Sequence, residues 1–131
     1  MVMRIKRTAE IVLSNYDCIS GLCVFSYEGK IGYKSENMPL TEPDIKIILE
    51  AWNGKFQDFT VKYVPFIMAL NDKNGLVAVN PDGATTLIMG TGKGVWYVTA
   101  FAPMDQDKFG IMKECIQASK NLESSVSIFD I

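Results

Sequence analysis

The chain contains no histidine, and that absence bounds its chemistry more tightly than any residue it does contain. Without imidazole there is no Ser-His-Asp or Cys-His nucleophile, and the commonest general base and commonest zinc ligand are both missing. Cysteine is scarce as well. Cys18, Cys23 and Cys115 are odd in number and lack the close paired spacing of a zinc site, so they read as reduced thiols of a cytosolic protein. There is no basic excess: 13 Lys and Arg stand against 15 Asp and Glu, a net charge of −2, which provides no broad positive field for nucleic acid. No apolar run approaches the roughly 20 residues of a membrane span, and the N-terminus shows no signal-peptide apolar region. The expectation is a soluble protein that stays in the cell.

Apolar surface is what the chain does have. Of its 131 residues 48% are hydrophobic, including seven Phe, seven Met, five Tyr and two Trp. That is enough to fill one core, so residues 1–131 are expected to form a single domain. Ile5, Ala9, Val12 and Tyr16 recur at helical spacing over residues 4–16. The apolar run Leu22 to Phe25, followed by Glu28-Gly29 and residues 30–34, reads as a hairpin. Thr41 as N-cap, Glu42, Pro43 and Asp44 in a first turn, the stripe Ile45, Ile48, Trp52 and a terminating Gly54 predict a second helix.

Between Asp58 and Pro103, apolar runs alternate with the turn signals Asp72 to Gly75, Asn80 to Gly83 and Gly90 to Gly94, predicting four strands of an antiparallel meander. Residues 95–102 are apolar on both faces, as in a central covered strand. Asp105 is read as the cap of a last helix carrying Ile111, Cys115, Ala118 and Leu122, with residues 123–131 as a non-helical tail. The predicted architecture is α+β: an antiparallel sheet of about six strands between N- and C-terminal helices and a short helix.

Each candidate site has a plainer explanation. Gly90-Thr-Gly-Lys-Gly94 resembles a phosphate loop, but Leu87 stands where a Walker loop needs Gly, Gly94 stands where it needs Ser or Thr, and the segment enters a strand. Asp105 and Asp107 are explained as helix-start residues better than as an acid–base pair. Cys23 and Cys115 fall on apolar faces and read as inert core thiols. Trp52 and Trp96 are either core or an aromatic platform. Arg4, Lys6 and Arg7 form a small basic cluster, a solvated helix face that could also touch anionic lipid headgroups. No catalytic constellation is present, and no cofactor or metal is expected.

The order of elements, with the strings Lys30-Ile-Gly-Tyr-Lys-Ser-Glu-Asn37, Thr41-Glu-Pro-Asp-Ile45, Thr91-Gly-Lys93, Pro103-Met104-Asp105 and Lys113-Glu-Cys115, resembles the profilin family over nearly the whole chain. It resembles a divergent, archaeal type of profilin, because the usual eukaryotic aromatic signature is missing. The resemblance implies a cytoplasmic, cytoskeleton-associated, monomeric protein that binds monomeric actin and regulates filament assembly, with phosphoinositides as further family ligands. Carried over residue by residue, the actin face falls on Met68, Leu70, Thr85, Asp107, Phe109, Gly110, Met112, Lys113 and Gln117.

At the family's polyproline groove the sequence departs from the pattern. Gly32 stands at the strand tryptophan position and the first helix has no aromatic before Tyr16, which leaves Tyr33, Leu122 and a displaced Phe129 to build at most a weak site for proline-rich proteins. The alternatives are a roadblock-like or longin-like dimeric scaffold for a small GTPase, marked by edge-strand pairing, and a PAS-type sensor, which needs a sizeable cavity.

Overall fold

The computed structural model describes residues 2–36, 38–55 and 57–126, with side chains from Arg4 onward. In chain order the elements are α1 (Val2–Asn15), β1 (Gly21–Ser26), β2 (Ile31–Lys34), α2 (Glu42–Trp52), β3 (Asp58–Val61), β4 (Val64–Asn71), β5 (Gly75–Val79), β6 (Thr86–Thr91), β7 (Trp96–Ala102) and α3 (Lys108–Ser125). The strands form one sheet in the order β2-β1-β7-β6-β5-β4-β3, every pair antiparallel.

Local chemistry accounts for most boundaries. The Asp44 carboxylate accepts the Thr41 N–H at 2.9 Å and its hydroxyl at 2.8 Å, fixing the start of α2. Gly54 ends α2 at φ 84°, and Gly29, Gly83 and Gly94 turn the chain at φ 87°, 78° and 82°. Two expectations about the last helix are corrected. Its N-cap is Asp107, whose Oδ1 accepts from the Gly110 N–H at 3.0 Å, and the helix runs on to Ser125 because Leu122 and Val126 are buried and Glu123 is anchored to the sheet. Residues 127–131 lie outside the described part.

The sheet has two buried faces. On one, α1 and α3 set Ile5, Val12, Ile111, Cys115 and Leu122 against Leu22, Val24, Ile88, Trp96 and Val98. On the other, Ile45, Ile48 and Ala51 of α2 meet Phe25, Phe59, Phe66, Leu87, Met89 and Tyr97. Burial of a Phe or Ile of this kind contributes about 1.5–3 kcal/mol, so both layers are needed. Strand β7 lies inside the sheet and is buried on both sides, as its sequence predicts.

The sheet has seven strands where six were expected, because residues 58–71 form two strands joined by Lys62-Tyr63. That turn carries no Gly, Asn, Asp or Pro, so the usual signal is missing. Helix α3 lies close on the sheet: a Cβ at Gly90 would stand 2.6 Å from the Ile116 backbone nitrogen, and one at Gly75 would collide with the Met112 sulfur.

Candidate functional site

The glycine-rich loop after β6 already holds an anion, and it is one of the chain's own. Glu123, from the last turn of α3, accepts backbone N–H groups of Lys93 at 2.8 Å, Val95 at 2.9 Å and Trp96 at 3.1 Å. The Gly92 N–H goes to Ser119 Oγ at 3.0 Å and the Gly94 N–H to Thr91 Oγ1 at 3.0 Å. With these donors occupied, the loop works as a clasp between sheet and helix, and its donors are not free for a phosphate.

The thiols of Cys23 and Cys115 are equally unavailable for chemistry. Burial pushes Cys23 up to about 12 against the pull of the Lys34 charge, and burial, helped by the Glu114 carboxylate, pushes Cys115 up to about 12. Trp96 is fully buried and its Nε1 donates to the Val126 carbonyl at 3.1 Å, while Trp52 packs edge-on against Tyr97. Trp96 is core and Trp52 is half-buried at the core's edge.

A surface remains. On the α1–α3 side α3 lies over β5, β6 and β7, while toward the β3–β4 edge the same side of the sheet leaves Asp58, Thr60, Pro65 and Ile67 exposed. Strand register joins this open side to the start of α3: Ile67 pairs with Val79, Val79 with Thr86 and Thr86 with Ala102, and the chain then leads from β7 into α3. Phe109 is 59% exposed and Ile67 47% exposed, while Leu70 and Met112 are half-buried at the rim of the core. Lys113 and Gln117 are exposed at positions i+4 and i+8 from Phe109, on one helix face.

Asp107 and Gly110 serve the helix start. Gly110 is held close to Asp107 and to the Tyr16 hydroxyl, 2.6 Å from where its Cβ would be. Seven of the nine expected contact residues therefore fall on the α3 side, and two do not. Met68 packs against the α2-side core, because a bulge between Met68 and Leu70 changes which side chains of β4 face α3. The residue facing α3's side there is Ile67. Thr85 lines an apolar cleft of about 400 Å³ with Val61, Phe66 and Phe101, also on the α2 side.

Of the residues left for a weak polyproline site, Leu122 is corrected on burial grounds. Leu122 is fully buried and cannot line an open groove. Tyr33 is half-buried against the α1 side of the core, and Phe129 lies outside the described residues. A Cβ at Gly32 would stand 3.2 Å from side-chain atoms of both Ile5 and Trp96, so a larger residue there would have to displace them. Arg4, Lys6 and Arg7 are exposed, and Arg4 and Arg7 flank a groove between α1 and the end of α3 with Asn121, Ser124 and Ser125. No helix among the described residues is long and apolar enough to cross a membrane.

No family model matches the chain, and no curated protein sequence does. Solved structures do. LokiProfilin1, solved in complex with rabbit actin, superposes with a TM-score of 0.84 at 14% identity over 96% of this chain and 98% of that one. LokiProfilin2, also solved with rabbit actin, gives 0.84 at 15% identity over 96% and 100%. Profilin IB of Acanthamoeba castellanii gives 0.71 at 10% identity over 88% and 94%. Helices, sheet and chain order thus match at a level of identity where sequence comparison is silent, and the chain has the profilin fold.

Proposed function

We propose that this chain binds monomeric actin through the α3-side surface of Phe109, Ile67, Leu70, Met112 and Lys113, with Asp107, Gly110 and Gln117 at its edge, and that it thereby restrains filament assembly in the cytoplasm. No covalent step is involved. The observation that carries the reading is the pairing of exposed Phe109 and Ile67 with the cation Lys113 on the open part of the α3 side, in a fold shared with two chains solved with rabbit actin. Aromatic and aliphatic anchors beside a positive charge are what a protein partner's apolar pockets select.

The test is a titration of monomeric rabbit actin with the Lys113→Glu, Phe109→Ala double variant. Affinity should fall at least about tenfold, while the melting temperature moves little because both side chains are exposed. Unaltered affinity would end the reading.

Arg4, Lys6 and Arg7 support an accessory contact with anionic headgroups, phosphoinositides included, and nothing stronger. A dimeric GTPase scaffold has less support, because the two edge strands, β2 and β3, are only four residues long and short edges template pairing poorly.

A further inference from the structure

Among the described residues, the backbone enters the left-handed region at four glycines and at two residues that are not glycine, Lys62 at φ 50° and Tyr63 at φ 67°. Val61 pairs directly with Val64, so Lys62-Tyr63 is the two-residue loop of a hairpin with positive φ at both positions, a turn for which Asn-Gly is the preferred pair. Side chains are strained there. Lys62 has a use within the chain, since its Nζ lies 3.5 Å from the Asp44 carboxylate at the start of α2. Tyr63 has none: it is 98% exposed.

Strain at a side chain that packs against nothing of its own is the pattern found where the contact lies outside the chain. The position of the turn says where. Tyr63 stands four residues before Ile67 on the hairpin whose open side continues through Val79, Thr86 and Ala102 toward α3. Five large apolar side chains are exposed among the described residues, and three of them, Tyr63, Ile67 and Phe109, lie at this end of the sheet. A two-residue turn also holds its tyrosine on a rigid stem, which lowers the entropy lost on docking.

We propose that Tyr63 is an anchor of the actin contact, extending it from α3 across β4 to the tip of the β3–β4 hairpin. The inference rests on the actin reading, and the experiment separates the two. Labelled monomeric rabbit actin is titrated with the unaltered chain, Tyr63→Gly, Tyr63→Phe and Phe109→Ala, and each melting temperature is recorded.

Tyr63→Gly should weaken binding at least about tenfold while raising the melting temperature by about 2–4 °C, because glycine accepts the turn's backbone. Tyr63→Phe should bind within about threefold of the unaltered chain, the ring being the anchor. If Phe109→Ala weakens binding and Tyr63→Gly does not, the inference is overturned and the actin reading stands. If the unaltered chain does not bind, both are overturned. A fall in melting temperature for Tyr63→Gly also overturns the inference, since the strain on which it depends would be absent.

Discussion

At the β6–β7 turn the backbone is supported by glycines and by α3; at the β3–β4 turn it is supported by neither. The first turn has Gly92 and Gly94, and its N–H groups are taken by Glu123, Ser119 and Thr91. The second has two strained residues, one of them tied loosely to Asp44 and the other to nothing. They lie at opposite ends of the sheet, since Gly90 pairs with Gly75 near one and Val79 with Ile67 toward the other. Where the chain only has to hold its last helix on the sheet, backbone comfort and complete hydrogen bonding win. Where the sheet is left open, the turn tolerates strain and displays an aromatic ring. A support that carries the fold and a tip that faces outward are built on different terms.

Removing the support should give the largest effect. Glu123→Ala leaves the N–H groups of Lys93, Val95 and Trp96 without their acceptor, and with unsatisfied donors costing about 1–3 kcal/mol when buried, a loss of roughly 2–4 kcal/mol is expected. Urea unfolding checks it through a lower midpoint at constant slope; a change under about 1 kcal/mol would mean that water replaces the carboxylate and the clasp is dispensable. Gly90→Ala comes next. The added methyl meets the Ile116 backbone nitrogen at 2.6 Å, a neighbour that cannot rotate away, so α3 must shift at a cost of about 1–3 kcal/mol. The same change at Gly29, which has open space around its Cβ position but a φ of 87°, should cost only the left-handed penalty of about 1–2 kcal/mol.

These two regions also divide what could be read in advance from what could not. Helix periodicity, the Thr41 to Asp44 start, the glycine turns and the doubly apolar β7 were legible because each is a local pattern with a local cause. The β3–β4 turn was illegible for the opposite reason: Lys62 and Tyr63 have no turn propensity, and tertiary pairing of Val61 with Val64 imposes the conformation. The β4 bulge is a second case. Period-two reasoning puts Met68 and Leu70 on one side, but an unpaired Ala69 between them sends Met68 to the α2 core and brings Ile67 to the α3 side. The role of Glu123 is not legible in the sequence because its partners are backbone groups some thirty residues away, which no helical pattern records. An inward alternation broken at Ala69, with Ile67 unaccounted for, was the available hint.

A smaller effect sharpens the comparison kinetically. Amide exchange at Val95 and Trp96 should require opening of the sheet–helix clasp and approach the protection of the core, whereas Lys62 and Tyr63, which sit in the loop and outside the ladder, should exchange faster by at least about a hundredfold through local opening. Equal protection at the two turns would remove the distinction between them.

The smallest expected effect concerns the one side-chain tie at the open turn. Burial alone would raise the Asp44 carboxyl, but the Thr41 N–H and hydroxyl and the Lys62 charge outweigh it and hold the group below its ordinary 3.8. A carboxyl depressed in the folded state adds stability that is fully present above the unfolded value and lost as pH falls through the folded one. Asp44→Asn should therefore be less stable than the unaltered chain at pH 6, and the gap should narrow as pH falls from the unfolded value through the lowered folded one, where the unaltered Asp44 becomes protonated. Because the side chains of Lys62 and Asp44 are 42% and 13% exposed, added salt should narrow the gap only partly, with the Thr41 bonds keeping the remainder. A gap that persists unchanged at low pH would mean that Asp44 acts through packing, leaving the β3–β4 turn with no electrostatic tie to α2.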